Sequence, residues 1–202
     1  MNSKEKNVNK NSLNLLKGKN EDICFVSENN IKIQYLKAKQ LVEERGNLFK
    51  KDSLVFILSS SSIDFITFYL SFLKFGHTQI ILNKEIDNSN IYQVIKNYKP
   101  NYLLINNERK IKLVDYILIE KSEKYRIFIK KKNKKININK KLALLLSTSG
   151  STGSTKFVKL SYENIFSNTK NISKYLKLTK KDRSISTLPL NYSYGLSVIN
   201  TH

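Results

Sequence analysis

Residues 142–156 read LALLLSTSGSTGSTK, and they are the most informative stretch of the chain. Five apolar residues (142–146) stop abruptly at eight consecutive Ser, Thr and Gly residues (147–154). A short apolar run that ends at turn-forming residues predicts a buried strand. In the loop that follows, Gly150 and Gly153 permit backbone angles that other residues resist, the hydroxyls can donate hydrogen bonds, and Lys156 adds one mobile positive charge. Together these features predict a phosphate-binding loop.

This loop differs from the common phosphate-binding pattern GxxxxGK[ST]. That pattern would require Gly in place of Thr155, and Ser or Thr in place of Phe157. The alternative on composition alone is a flexible Ser/Gly linker. A linker needs neither an apolar strand before it nor a single Lys after it, so the phosphate-loop interpretation is favoured.

Length and composition are those of a globular protein. The 202 residues suffice for one good-sized domain or two small ones, and 40% of them are hydrophobic. The chain has a single cysteine, Cys24, which excludes a disulfide framework and a cysteine-based metal site. We expect Cys24 to be a small buried residue and the protein to lie in a reducing, cytoplasmic compartment. The longest apolar stretch, residues 63–75, is too short to cross a membrane. His77 follows a glycine that ends a predicted helix, and we interpret it as structural.

The formal net charge of +20 raises a rival hypothesis, a basic protein that binds nucleic acid or a membrane surface. The excess is mostly Lys and is spread along the chain, as a general compositional bias would spread it. The densest run, KKKNKKININKK at 130–141, has no Arg and no aromatic residue for base recognition. We therefore predict a solvated loop there in preference to a binding tail.

Hydrophobic periodicity predicts alternating strands and helices. Strands are predicted at 23–26, 31–33, 54–58, 78–82, 102–105, 111–119, 125–129, 142–146, 157–160 and 184–188. Helices are predicted at 34–49, 63–75, about 91–98, and 162–176. The inner face of the last helix is predicted to consist of Ile165, Asn168 or Thr169, Ile172 and Leu176. This alternation indicates a parallel α/β sheet. We expect strand 142–146 to be central and buried in it.

The segment 148–156, TSGSTGSTK, resembles the phosphate loop TSGSTGxPK of the adenylate-forming superfamily, with Thr155 where Pro is usual. The order of the preceding elements, IKIQYLKAKQLVEE at 31–44 and the long strand–helix–strand stretch at 51–83, is also similar to that family, so the resemblance covers most of residues 21–202. It implies an α/β fold that corresponds to the first half of the large N-terminal domain, with mixed or parallel sheets flanked by helices. Residues 1–20 are then a flexible basic arm.

The resemblance implies that ATP activates a carboxylic acid, giving an acyl-adenylate and pyrophosphate, and that the acyl group then passes to coenzyme A or a phosphopantetheinyl carrier protein. Mg²⁺ would be shared with the phosphates. The implied phosphate-binding residues are Thr148, Ser149, Gly150, Ser151, Thr152, Gly153 and Lys156.

A second segment, PLNYSYGL at 189–196, resembles the family's PLfHxxGl sequence beside the acyl pocket. It makes Tyr192, Tyr194 and Gly195 candidates for that pocket, with Tyr192 where His is frequent. Judged on the residues alone, the two tyrosines could equally be core or surface aromatics.

The family's adenine-binding, metal-binding and catalytic residues correspond to positions beyond His202. We therefore expect an incomplete enzyme without the C-terminal domain, with no catalytic residue or metal ligand assigned here, and inactive by itself. A non-catalytic phosphate- or nucleotide-binding fragment remains the alternative. The expected partners are a small carboxylic acid and a carrier protein, with no nucleic acid and no membrane span.

Overall fold

The computed structural model describes residues 16–132, 136–147 and 156–202, so most of the predicted arm of residues 1–20 lies outside the described part. Within these residues the order of elements is β1 (Ile23–Val26), β2 (Lys32–Gln34), α1 (Tyr35–Gly46), β3 (Leu54–Leu58), α2 (Ile63–Phe75), β4 (Thr78–Leu82), α3 (Asn88–Tyr98), β5 (Tyr102–Asn106), β6 (Tyr116–Lys121), β7 (Tyr125–Lys130), β8 (Leu142–Ser147), β9 (Phe157–Ser161), α4 (Tyr162–Tyr175) and α5 (Ser193–Thr201).

Local sequence signals set the bounds of β3 and α2. All five residues of β3 are apolar and buried. Ser62 then caps α2, and its side chain accepts a hydrogen bond from the Phe65 N–H at 3.1 Å. At the other end Gly76 adopts the left-handed conformation, with φ of 79°, which glycine reaches at little cost. Both elements have the bounds predicted from the sequence.

Seven strands form one mixed sheet in the order β6-β7-β5-β3-β4-β8-β9, and β1 and β2 form a separate antiparallel pair. The four inner strands β5, β3, β4 and β8 are parallel, whereas β6, β7 and β9 run antiparallel to their neighbours. Helices cover both faces. One buried cluster includes residues of α1, α2, α4 and α5, and a second includes residues of α3. The predicted α/β fold with a mixed sheet is confirmed.

The strand before the phosphate loop is buried but not central. Leu144 is only 1% exposed, as expected. However, β8 is the sixth of the seven strands, because the chain returns after the loop and adds β9 outside it. The central position belongs to β3. The prediction of a central strand was wrong because the alternation of apolar and polar residues shows burial but not strand order.

Two other predicted strands differ in the structure. Residues 184–188 are not a strand, and Ile185 is 83% exposed. No strand in the described part of the chain pairs with them, and an extended segment becomes a strand only when its backbone groups find such a partner. The strand predicted at 111–119 begins only at Tyr116, where pairing with Lys130 of β7 starts.

The Lys-rich segment 130–141 is only partly solvated. Its described Lys and Asn residues beyond β7 are exposed, but Ile136 and Ile138 pack against the cluster on the α3 face. Residues 133–135 lie outside the described ranges. In α4, Ile165 is buried as expected, whereas Leu176 is 55% exposed and does not belong to the inner face.

A buried ion pair joins α1 to α2. The Arg45 guanidinium donates to the Asp64 carboxylate and, at 2.7 Å, to the Asp64 backbone oxygen. The second carboxylate oxygen accepts hydrogen bonds from the Ser122 hydroxyl at 2.7 Å and the Lys124 N–H at 2.9 Å. Asp64 therefore also holds the turn between β6 and β7. Burial lowers the pKa of Arg45, while the nearby Asp64 opposes that shift.

The single cysteine and the internal histidine both have structural surroundings. Cys24 is half-buried in β1, less buried than predicted, and burial raises the pKa of its thiol to about 12. His77 is 1% exposed, and its Nδ1 accepts a hydrogen bond from the Ser53 N–H at 3.3 Å. Its ring contacts Phe49 and Phe72 edge-on, in agreement with the structural role predicted for it.

Candidate functional site

The carboxyl ends of β3, β4 and β8 lie side by side, because these strands are parallel neighbours. The helix after β3 packs on one face of the sheet and the helix after β4 on the other. Where consecutive connections leave toward opposite faces, a crevice opens at the carboxyl ends of the strands, and ligands of α/β proteins bind there. The topology therefore makes this edge the candidate site.

The predicted phosphate loop starts at this edge. Its strand, β8, ends at Ser147, which pairs with Phe157, the first residue of β9. The loop is thus the connection of an antiparallel hairpin. Of the predicted phosphate-binding residues, Thr148, Ser149, Gly150, Ser151, Thr152 and Gly153 lie outside the described residues, and Lys156 is exposed beside the closing pair.

The hairpin arrangement has a chemical consequence. In the common GxxxxGK[ST] pattern the loop leads into a helix, whose N-terminus attracts phosphate. Here it leads into β9, so no helix dipole follows it directly. Any anion bound by this loop would depend on the loop's own N–H groups and hydroxyls and on the charge of Lys156.

The second predicted segment docks against the same edge. Leu190 and Asn191 are 1% and 2% exposed. The Asn191 Oδ1 accepts a hydrogen bond from the Ser59 hydroxyl at 3.3 Å, and Ser59 directly follows β3. The Ser59 N–H donates in turn to the Leu82 oxygen at the end of β4, at 2.7 Å. One polar contact therefore fixes residues 189–196 beside the carboxyl ends of both strands.

The three acyl-pocket candidates have different environments. Tyr192 precedes the first residue of α5 and is 44% exposed, and Tyr194 is 68% exposed. Gly195 is buried, and a Cβ added there would lie 2.5 Å from the Pro189 oxygen. Gly195 therefore allows α5 to pack closely against the backbone that leads into it. Both tyrosine side chains are exposed to solvent.

Sequence reasoning missed two buried polar contacts at the site. Asn191 was not singled out, because its burial depends on Ser59, a partner 132 positions away in the chain. The second is Tyr125, whose hydroxyl donates to the Leu58 oxygen at 2.7 Å and contacts the Ser60 hydroxyl at 2.9 Å. Burial raises the pKa of the Tyr125 phenol, so it stays neutral and serves as a hydrogen-bond donor.

The described residues offer no protein site for a metal. No group of three His, Cys, Asp or Glu side chains in those ranges could hold an ion. Mg²⁺ therefore has no ligand set among them, and no chemical step is assigned to it below. In the same ranges, no helix is both long and apolar enough to cross a membrane.

Solved structures of longer proteins share this fold. Apo MatB from Rhodopseudomonas palustris superposes with a TM-score of 0.72 at 17% identity over 92% of this chain and 41% of its own. O-succinylbenzoate coenzyme A synthetase (MenE) from Bacillus subtilis, in complex with AMP, gives 0.70 at 18% identity over 89% of this chain and 49% of its own. The chain thus spans less than half the length of these proteins.

No curated protein matched the chain. The model of the family described as AMP-binding enzyme matches residues 19–202. This match covers both the phosphate-loop strand and the segment docked beside it, and it extends over nearly the whole chain. The chain therefore belongs to the AMP-binding enzyme family.

Proposed function

We propose that this chain supplies the ATP-phosphate-binding part of a ligase that activates a carboxylic acid as its acyl-adenylate. The observation that carries the proposal is the hydroxyl- and glycine-rich sequence that connects β8 to β9, since β8 ends at the same edge of the sheet at which segment 189–196 docks. Membership of the AMP-binding enzyme family supports it. The loop would hold the β- and γ-phosphates, and the acid would bind near Tyr192, Tyr194 and Gly195.

In the proposed reaction a carboxylate oxygen attacks the α-phosphorus of ATP. The bond from that phosphorus to the oxygen bridging to the β-phosphate breaks, and pyrophosphate leaves with the electron pair. Negative charge builds up on the departing phosphates. Lys156 and the loop donors would stabilise that charge, which is the main contribution a protein can make to such a step.

A thiol would then attack the acyl carbon, forming a thioester and releasing AMP. One fold neighbour, MenE, is an O-succinylbenzoate coenzyme A synthetase, which favours coenzyme A as the acceptor here, and a carrier-protein thiol is the alternative. The substrate class is a small or medium-sized organic acid. This chain spans 41% and 49% of two such neighbours, so residues 21–202 would form only the first part of the large domain and would not complete the ligation alone.

Pyrophosphate binding to the 202-residue chain tests the central claim. Isothermal titration would compare the wild type with Lys156→Ala and with Lys159→Ala, a control that removes an equally exposed lysine from β9. We expect Lys156→Ala to weaken binding about 10- to 150-fold, since one charge-assisted contact contributes roughly 1.5–3 kcal/mol. The control should bind as the wild type does.

Equal losses in the two variants would contradict the proposal, because they would indicate attraction to the overall positive charge. A salt titration adds a second criterion. A non-specific polyelectrolyte interaction weakens steeply and alike in both variants as salt rises, whereas a built phosphate site keeps the difference between them.

A further inference from the structure

Phe157 is the residue at which the chain leaves the phosphate loop. It directly follows Lys156 and pairs with Ser147, so it is one half of the pair that closes the hairpin. Its ring is partly buried against the cluster on the α3 face of the sheet. The position of this ring therefore helps to fix the point at which the loop ends.

The partner of the Phe157 ring is Tyr98, the last residue of α3. The two ring centroids lie 5.2 Å apart with an interplanar angle of 79°, an edge-to-face arrangement that aromatic pairs prefer. Tyr98 is also partly buried in the same cluster. The helix has a well-defined C-terminus at this residue. Lys99 adopts the left-handed conformation, and its N–H donates to the Ile95 oxygen at 2.9 Å. Pro100 follows and cannot continue the helix. Tyr98 thus presents its ring from a well-defined helix end.

We propose that Tyr98 is a positioning residue for Lys156 and acts through Phe157. This inference rests on the proposed function, in which Lys156 contacts the leaving phosphates. Successive residues of an extended chain point to opposite sides. Fixing the Phe157 ring on the α3 face therefore directs Lys156 toward the other face, where α5 and the docked segment 189–196 lie.

The contact between Tyr98 and Phe157 would increase the affinity for phosphate because it orders Lys156 before the ligand binds. The Lys156 side chain has four rotatable bonds. If the loop were fixed only at Ser147, the backbone of Lys156 would be free to move as well. Holding the neighbouring residue in place reduces the entropy that is lost when phosphate binds. Loss of one aromatic pair should accordingly weaken binding by about twofold to tenfold.

The test is pyrophosphate binding by the full 202-residue chain, measured by isothermal titration. Tyr98→Leu removes the ring and keeps an apolar side chain, and Tyr98→Phe restores the ring. Phe128→Leu is the matched control, since Phe128 is a partly buried ring of the same cluster on β7, which four strands separate from β9. Thermal melts of all variants give their stability, and binding is measured well below each midpoint.

We expect Tyr98→Leu to bind pyrophosphate about twofold to tenfold more weakly, with Tyr98→Phe and Phe128→Leu close to the wild type. A double variant, Tyr98→Leu with Phe157→Leu, should be no weaker than Phe157→Leu alone. Wild-type affinity in Tyr98→Leu would overturn this inference and leave the proposed function standing. An equal loss in Phe128→Leu would overturn it too, because it would indicate a general effect of the cluster. Absence of pyrophosphate binding by the wild type would refute both.

Discussion

Replacing Asp64 by Asn should destabilise the fold more than any other single loss of charge in the described residues. The Asp64 side chain is 1% exposed and that of Arg45 is 13% exposed, so neither charge is well solvated. The carboxylate accepts hydrogen bonds from Arg45, the Ser122 hydroxyl and the Lys124 N–H. An amide keeps one acceptor oxygen but turns an NH₂ group toward at least one of these donors. The variant would leave the Arg45 charge buried and unpaired.

The magnitude follows from that burial. Breaking one side of a buried ion pair costs about 3–5 kcal/mol, because the remaining charge loses its partner without regaining water. For a chain of this size the melting midpoint should then fall by at least about 6 °C. A second ion pair between the same two helices serves as the control. Lys74 and Glu43 are 46% and 49% exposed, and such surface pairs contribute only about 0–1 kcal/mol.

Urea unfolding followed by circular dichroism at 222 nm would compare Asp64→Asn with Glu43→Gln. We expect the midpoint to fall sharply in the first variant and to move little in the second, with equal slopes of free energy against urea. Similar losses in the two variants would refute the reasoning, because the buried carboxylate differs from Glu43 both in its burial and in its two additional hydrogen bonds. A loss below about 1 kcal/mol in Asp64→Asn would do the same.

Three further predictions concern the site and the thiol. In an enzyme that contains this chain, Lys156→Ala should slow adenylate formation about 30- to 1,000-fold. It should spare thioester formation from preformed acyl-adenylate, since pyrophosphate has left before that step. Equal slowing of both half-reactions would show that Lys156 has a structural role. Gly195→Ala should lower the free energy of unfolding by about 1–3 kcal/mol in a thermal melt, because the new Cβ meets the Pro189 oxygen, and an unchanged melt would contradict this. Cys24, with its thiol pKa raised to about 12, should react with Ellman's reagent at pH 8 far more slowly in the native chain than in urea, and equal rates would show that the thiol is not protected.

The local elements were predictable because their signals lie within a few residues of one another. The apolar run of β3, the Ser62 cap and the Gly76 stop all act through neighbours in the chain, so they need no knowledge of distant partners. The same holds for the buried strand before the phosphate loop and for the composition of the loop itself. Burial of β8 was therefore confirmed, and the α/β class followed from the alternation of elements.

Strand order was not predictable, because it depends on which distant backbone groups pair. After the loop the chain forms β9, which pairs outside β8, so β8 is the second strand from the edge and not the central strand that was expected. For the same reason residues 184–188, which were predicted to be a strand, pair with none of the described strands. Likewise, Ile136 and Ile138 became partly buried only because the fold provides an apolar surface beneath a Lys-rich segment.

The sequence by itself determined the chemistry of the site: a small-residue loop rich in hydroxyls, one lysine, and an aromatic segment some thirty residues later. Tertiary structure alone decided that the aromatic segment docks at the sheet edge where β8 ends. It does so because parallel pairing aligns the ends of β3, β4 and β8, and because Ser59 hydrogen-bonds Asn191 across 132 positions of the chain. Such contacts leave no periodic trace in the sequence, since each depends on a single side chain whose partner is set by the fold.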